Sequence, residues 1–236
     1  MKKEKVVNEF IEGILEAFGL LFSLDPEVWG IILLSLRVSG TAIFVATLMS
    51  LPIGSFIALR EFRGKKTLTN FINTFMGFPP VIMGLLVFLL LSKSGPLGSL
   101  GLLYSPTAMI VAQLFLAIPI IIGTSKAAIE SINPDLKETI LNLGANERQL
   151  WWELIKESKK SIIAGILVAF GQAISEVGAV MIVGGNIRWN TRTFTTSIVL
   201  ETRMGEFGMA MALGLILIII TFSLNYILTH LQMRDN

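Results

Sequence analysis

The chain has 236 residues, of which 53% are hydrophobic and only 15% are charged, whereas soluble domains of this size carry about 25% charged residues. A net charge of +2 gives no basic field for binding nucleic acid, and the lack of cysteine excludes disulfides and thiolate metal sites. The lone His230 offers no metal site, and no cleavable signal peptide is predicted after Met1. We therefore expect an all-α polytopic membrane protein.

The first predicted element is an amphipathic helix within residues 1–27. Apolar residues recur there at helical spacing: Phe10, Ile11, Ile14, Leu15, Phe18, Leu21 and Phe22. Glu9, Glu12 and Glu16 fall on the other side. Because an acidic group near the bilayer centre costs roughly 2.5–3.5 kcal/mol, we expect this helix to lie at the membrane interface. The alternative is a sixth membrane span.

Five later stretches are long and apolar enough to cross a bilayer as helices. They are residues 28–59, 68–91, 106–124, 161–184 and 209–228. Lysine and arginine mark cytoplasmic loops, so the loops after the first and third spans should face the cytoplasm. The loops after the second and fourth spans should be external. Five spans would leave the N-terminus outside, and a sixth would bring it inside.

The third loop, residues 126–160, is too long for a simple connector and should fold locally. Asn133 followed by Pro134 predicts a helix start, and Gly144 predicts its end. Asn146 should begin a second helix, with Gln149 completing a capping box. The sequence therefore predicts a helix, a glycine turn and a second helix that leads into the fourth span.

Residues 138–145 (ETILNLGA) resemble the cytoplasmic loop motif of bacterial ABC importer permeases, which has Glu-Ala-Ala, three residues and then Gly. Glu138 and Gly144 match it, and Thr139 and Ile140 replace the alanines. Other runs resemble the molybdate and tungstate branch, and most closely its tungstate permeases: 35–38 (SLRV), 52–54 (PIG), 62–65 (FRGK), 78–81 (FPPV), 173–179 (AISEVGA) and 184–187 (GGNI). The chain is thus identified as a member of this family.

The resemblance implies a type I ABC importer permease fold, with a transmembrane domain over 28–236 in the prokaryotic inner membrane. It implies a second copy of the chain, two cytoplasmic ATPase subunits, an extracytoplasmic substrate-binding protein and lipid as partners, and no nucleic acid. Residues 64–67 (GKKT) lack the first glycine of a phosphate loop, since position 59 is Leu. The chain should therefore be no enzyme and hold no cofactor, and ATP and Mg²⁺ should bind the partner ATPase.

Three groups of residues follow as candidates. The ATPase-coupling group is Glu138, Thr139, Gly144, Ala145 and Asn146. We expect no catalytic and no metal-binding residues. The pathway group is Ser175, Glu176 and Gly178. Glu176 is an ionisable group inside a span, where burial is costly, and we expect it to hold backbone or hydroxyl groups near a gate.

The external group is Asn186, Arg188 and Arg192. Its arginines could attract an anion or an acidic partner protein. The expected function is ATP-driven import of tungstate or molybdate. The alternatives are import of another anion such as sulfate or phosphate and, in a different class, a passive channel or carrier.

Overall fold

The structure, a computed structural model, describes residues 11, 13–15, 18, 19, 23 and 25–233, and the helices from residue 26 onward are labelled α1 to α10 here. They are α1 (Pro26–Leu59), α2 (Lys65–Met76), α3 (Pro80–Leu91), α4 (Pro106–Glu130), α5 (Pro134–Asn142), α6 (Glu147–Glu157), α7 (Lys159–Ile174), α8 (Gly178–Gly184), α9 (Phe194–Met204) and α10 (Phe207–Met233). A short 3₁₀ turn, Gly98–Leu100, lies between α3 and α4. The expected all-α architecture is confirmed.

Two of the predicted spans are single continuous helices. By length and apolar composition, α1 and α4 could each cross a membrane. Asp25 caps α1, because its Oδ1 accepts hydrogen bonds from the backbone N–H groups of Glu27 and Val28 at 2.9 and 3.0 Å. Ser105 caps α4 in the same way, by accepting from the N–H of Ala108. Both helices also have Pro in their first turn, where its missing N–H costs nothing.

The second and fourth predicted spans are each two helices rather than one. The axes of α2 and α3 differ by 97°, and those of α7 and α8 differ by 56°. Gly77, Phe78 and Pro79 separate α2 from α3, which begins at Pro80, and proline cannot donate a helical hydrogen bond. Counting each bent pair as one segment gives up to four candidate spans among the described residues.

The fifth predicted span lies within α10, whose apolar part, Phe207–Ser223, is shorter than the other candidates. The predicted N-terminal helix lies mostly outside the described residues. Residues 11, 13–15, 18 and 19 are helical. Gly13 packs closely against α10, because a Cβ atom there would lie 2.9 Å from the Cβ atom of Met211.

The core forms where α4 packs against α1, α7 and α8. One buried cluster joins α1, α4 and α7 and includes Ile43, Ala117, Ile121 and Ala169. A second cluster joins α3, α4 and α8 around Met109. Large apolar side chains also cover the outside: Leu33, Phe44 and Leu48 of α1 are more than 60% exposed, as expected of a surface that faces lipid.

The loops gather at two ends of the bundle, in the pairs that the charge pattern predicts. At the basic end, which holds residues 60–66 and 126–160, Lys65 and Lys126 both pair with Glu130. At the opposite end, the N–H of Tyr104 donates to the carbonyl of Val183 at 2.9 Å. That contact joins the loop after α3 to the end of α8.

Candidate functional site

The coupling turn, defined here as residues 133–147, has the predicted helix–glycine–helix form. Asn133 Oδ1 accepts from the N–H of Asp135 at 2.9 Å and so caps α5. At the far end Gly144 has φ of +85°, a conformation that costs most residues free energy but suits glycine. The N–H of Ala145 donates to the carbonyl of Ile140 at 3.3 Å and closes the end of α5.

Asn146 begins α6 with the capping box that the sequence predicts. Its Oδ1 accepts from the N–H of Gln149 at 2.9 Å, and the Gln149 side chain accepts from the N–H of Asn146 at 2.8 Å. The turn therefore has a defined shape that local hydrogen bonds hold. Thr139 contributes locally too, since its hydroxyl donates to the carbonyl of Asp135 at 2.8 Å.

Most of the coupling turn is exposed. All nine residues of α5 are exposed or half-buried, and Glu138 is exposed. Leu141 is 44% exposed and Leu143 is 82% exposed, although leucine is usually buried. Sequence reasoning missed these two leucines, and the signal was there: they are apolar residues at the end of a short polar helix. An exposed, capped turn with an apolar tip is suited to contact another protein.

The break between α7 and α8 is the second part of the site, and Glu176 lies in it. Its Oε1 accepts from the N–H of Ala179 at 3.0 Å, and its backbone carbonyl accepts from the Thr195 hydroxyl at 2.8 Å. The carboxylate thus caps the start of α8, and the peptide beside it is tied to α9. The Glu176 carboxylate therefore binds a backbone N–H, whereas the hydroxyl contact is made by its backbone carbonyl, and its role near a gate stays a prediction.

Ser175 and Gly178 flank Glu176 and differ in their surroundings. Ser175 is exposed, and its hydroxyl donates to the carbonyl of Gly171 at 2.7 Å. Gly178 lies against α3, because a Cβ atom there would be 2.6 Å from a methyl group of Val81. The three predicted pathway residues therefore lie within four positions at one helix break, with the glycine packed against the other broken span.

Gln113 of α4 also belongs to this break and was missed from the sequence. It is 3% exposed, and its Nε2 donates to the carbonyl of Ala173 at 2.8 Å, at the end of α7. Its Oε1 is buried without a hydrogen-bond partner among the described residues. A glutamine within an otherwise apolar span was the available signal, since polar residues in spans often mark functional positions.

The outer loop, defined here as residues 185–193, carries the three predicted external residues. Arg188 donates two hydrogen bonds to the carboxylate of Glu27, at 2.9 and 2.6 Å, and Arg192 donates a third at 3.3 Å. Asn186 has φ of +50°, and its side chain donates to the carbonyl of Thr196 at 3.4 Å. Both arginines therefore contact an acidic residue of α1, which offsets part of their positive charge.

A cavity of about 450 Å³ lies beside the outer loop, between the beginnings of α1 and α10. It is lined by both arginines and by Asp25, Glu27 and Glu201. The hydrogen bonds that Arg188 donates to Glu27 raise the pKa of Arg188, and burial raises the pKa of Glu201. Mixed charge of this kind does not favour anions alone. Within the described residues, no group of three or more His, Cys, Asp or Glu is placed to hold a metal ion.

The sequence matches a family model described as "Binding-protein-dependent transport system inner membrane component" over residues 50–234. The chain is 42% identical over 221 residues to the tungstate uptake system permease protein TupB of Peptoclostridium acidaminophilum, which covers 94% of this chain and 97% of the relative. It is 38% identical over 228 residues to TupB of Campylobacter jejuni, covering 97% of this chain and 95% of that protein.

Among solved structures, the chain is similar to the MetNI methionine ABC transporter in an inward-facing conformation. The TM-score is 0.71 at 17% sequence identity, and the match covers 90% of this chain and 96% of that chain. At this level of identity the likeness concerns the fold.

Proposed function

Because the chain belongs to the family of binding-protein-dependent transport system inner membrane components, we propose that it is the membrane-spanning subunit of an ATP-driven importer of tungstate. The observation that carries the transport mechanism is the coupling turn, which is exposed, capped at both helices and continuous with the broken span. Such a turn can transmit motion from a second protein to the membrane helices. Residues 64–67 (GKKT) lack the first glycine of a phosphate loop, and we therefore assign ATP hydrolysis to a separate chain.

Tungstate is the cargo that the relatives favour. Two relatives that span almost the whole chain, at 42% and 38% identity, are both tungstate uptake permeases. This chain presents few side chains that could distinguish one tetrahedral oxyanion from another. We therefore assign the choice of cargo to the external binding protein, and the competing cargoes are molybdate, sulfate and phosphate.

Three kinds of partner complete the proposed importer. The ATPase would bind the coupling turn, where Glu138 is exposed and Leu143 forms an apolar tip. A substrate-binding protein would dock at the opposite end, near the outer loop. A second copy of this chain would complete the path, since the break at Glu176 has exposed polar side chains, Ser175 and Gln172, on one side of a single subunit.

The proposed mechanism is alternating access. Closure of the ATPase pair on ATP would move the coupling turn, and α6 and α7 would carry that motion to the break at Glu176. The path would then open to the outside, receive the oxyanion and return after hydrolysis. Glu138, Thr139, Ala145 and Asn146 shape the surface that the ATPase contacts, and Gly144 allows the turn between them.

The test is reconstitution of this chain with its ATPase in liposomes that enclose the ATPase side. Tungstate and its binding protein are added outside the liposomes, and the tungsten taken up is measured by elemental mass spectrometry with and without ATP inside. We expect uptake that requires both ATP and the ATPase. Uptake at the same rate without the ATPase would identify a passive carrier and refute the proposal.

A further inference from the structure

We propose that α1 is a continuous helical link between the coupling turn and the outer loop, with Arg60 and Glu27 as the positioning residues at its two ends. This inference rests on the proposed function and adds to it a second route for motion, besides the covalent route through α6 and α7. Its basis is two sets of ion pairs that join residues far apart in the sequence.

At the basic end, Arg60 fixes the start of α6 to the end of α1. Its two terminal nitrogens donate to the two carboxylate oxygens of Glu147, at 2.6 and 3.4 Å. The guanidinium also lies over the ring of Trp151, 5.4 Å from its centre, and Phe56 meets the same ring edge-on. Arginine paired through both oxygens and stacked on an aromatic ring defines orientation as well as distance.

At the opposite end, Glu27 fixes the outer loop to the beginning of α1. The Glu27 side chain is 30% exposed and accepts hydrogen bonds from both Arg188 and Arg192. Two further contacts lie along α1: a Cβ atom added at Gly30 would be 3.8 Å from the ring of Trp189, and the N–H of Phe194, just after the outer loop, donates to the Ser35 hydroxyl at 3.0 Å. The outer loop is therefore held along the first turns of α1.

Between these two ends α1 is one helix of 34 residues, about 51 Å long at 1.5 Å per residue, and it continues as a helix through Pro52. The segment that runs from α6 to the outer loop is attached to α1 at both of its ends. The bend between α7 and α8, at Glu176, lies between these attachments. A movement of α6 therefore also moves α1, and α1 moves the outer loop, so that the two ends of the path change together.

The two ends of the link can be tested by a mutant cycle on the reconstituted importer. The readout is tungstate transported per ATP hydrolysed, because a loss of folded protein lowers both rates but leaves their ratio unchanged. We expect Arg60→Ala and Glu27→Gln each to lower this ratio roughly two- to fivefold, in keeping with exposed ion pairs. We expect the double variant to be no worse than the single ones, because a link broken at one end gains nothing from the second break.

If the fold-changes of the two single variants multiply in the double variant, the proposal is overturned, because the free-energy effects of distant, independent sites add. An unchanged ratio in both single variants would overturn it too. Arg60→Lys keeps the charge but loses the paired and stacked geometry, so we expect an intermediate ratio. The matched control is Lys156→Ala, which removes an ion pair to Glu153 and a ring contact on the same helix without touching α1.

The wild-type complex separates failure of this inference from failure of the proposed function. If wild type transports no tungstate, the cargo assignment fails. The same cycle is then measured on the rate of ATP hydrolysis by the complex, stimulated by its binding protein. Non-additivity between the two ends in that rate would support the link, and additivity or no effect would refute it.

Discussion

Replacing Glu176 tests the role of the helix break most directly. Glu176→Ala removes the oxygen that accepts the N–H of Ala179, and loss of such a cap costs about 0.5–2 kcal/mol. For a chain of this size, about 1 kcal/mol lowers the midpoint of thermal unfolding by roughly 2–4 °C. Glu176→Gln keeps an acceptor oxygen but loses the charge, and charge-assisted bonds are about twice as strong as neutral ones. We therefore expect the Gln variant to fold normally and transport more slowly.

Thermal unfolding of the purified complex and tungsten uptake should be measured side by side for both variants. We expect the Ala variant to be less stable and to take up less tungsten. We expect the Gln variant to be as stable as wild type but to take up tungsten more slowly. Unchanged uptake by Glu176→Gln at normal expression would refute the reasoning. A Gln variant as inactive as Ala, with both of them as stable as wild type, would instead place the carboxylate in direct contact with the cargo.

Three further predictions, each with a control variant, concern the packing and the backbone around the site. Gly84→Ala would place a Cβ atom 2.5 Å from the Cα atom of Ala179, and we expect it to lower the free energy of unfolding by about 1–3 kcal/mol, as measured by thermal unfolding. The control is Gly40→Ala, which should not lower this free energy because there is open space around Gly40. Gly144→Val, at φ of +85°, should lower the free energy of unfolding by about 1–2 kcal/mol and reduce the amount of ATPase that copurifies. Gly144→Asn should retain the ATPase. Equal amounts of ATPase with both variants would show that the left-handed turn is dispensable. Gln113→Glu would bury a carboxylate, and we expect this variant protein not to accumulate in the membrane. The Gln113→Leu protein should reach a level within twofold of wild type on an immunoblot. A normal level of the Glu variant would show that the site is hydrated.

The coupling turn could be predicted from the sequence because its signals are local. Asn133, Gly144 and Asn146 lie within 14 residues, and each acts on backbone groups close to it in the chain. The sequence predicts that this helix stops at Gly144, and the structure ends α5 at Asn142 with Leu143 as its cap. Local hydrogen bonding leaves little choice at such positions.

The broken spans and the ion pairs were beyond the sequence for a physical reason. Hydropathy shows that residues 68–91 are apolar, but the direction of the chain after Pro79 depends on packing against α8. The pairing of Glu27 with Arg188 joins residues 161 positions apart, so no local pattern could predict it. For the same reason the outer arginines looked free to attract an anion, whereas in the structure both contact Glu27.

The measurement that tests the central claim most directly is cellular tungsten and molybdenum by elemental mass spectrometry, at trace supply, in cells with and without this gene. The account predicts that loss of the gene abolishes accumulation of tungsten and that the restored gene recovers it. Unchanged tungsten in cells that lack the gene would contradict the assignment of tungstate as the cargo.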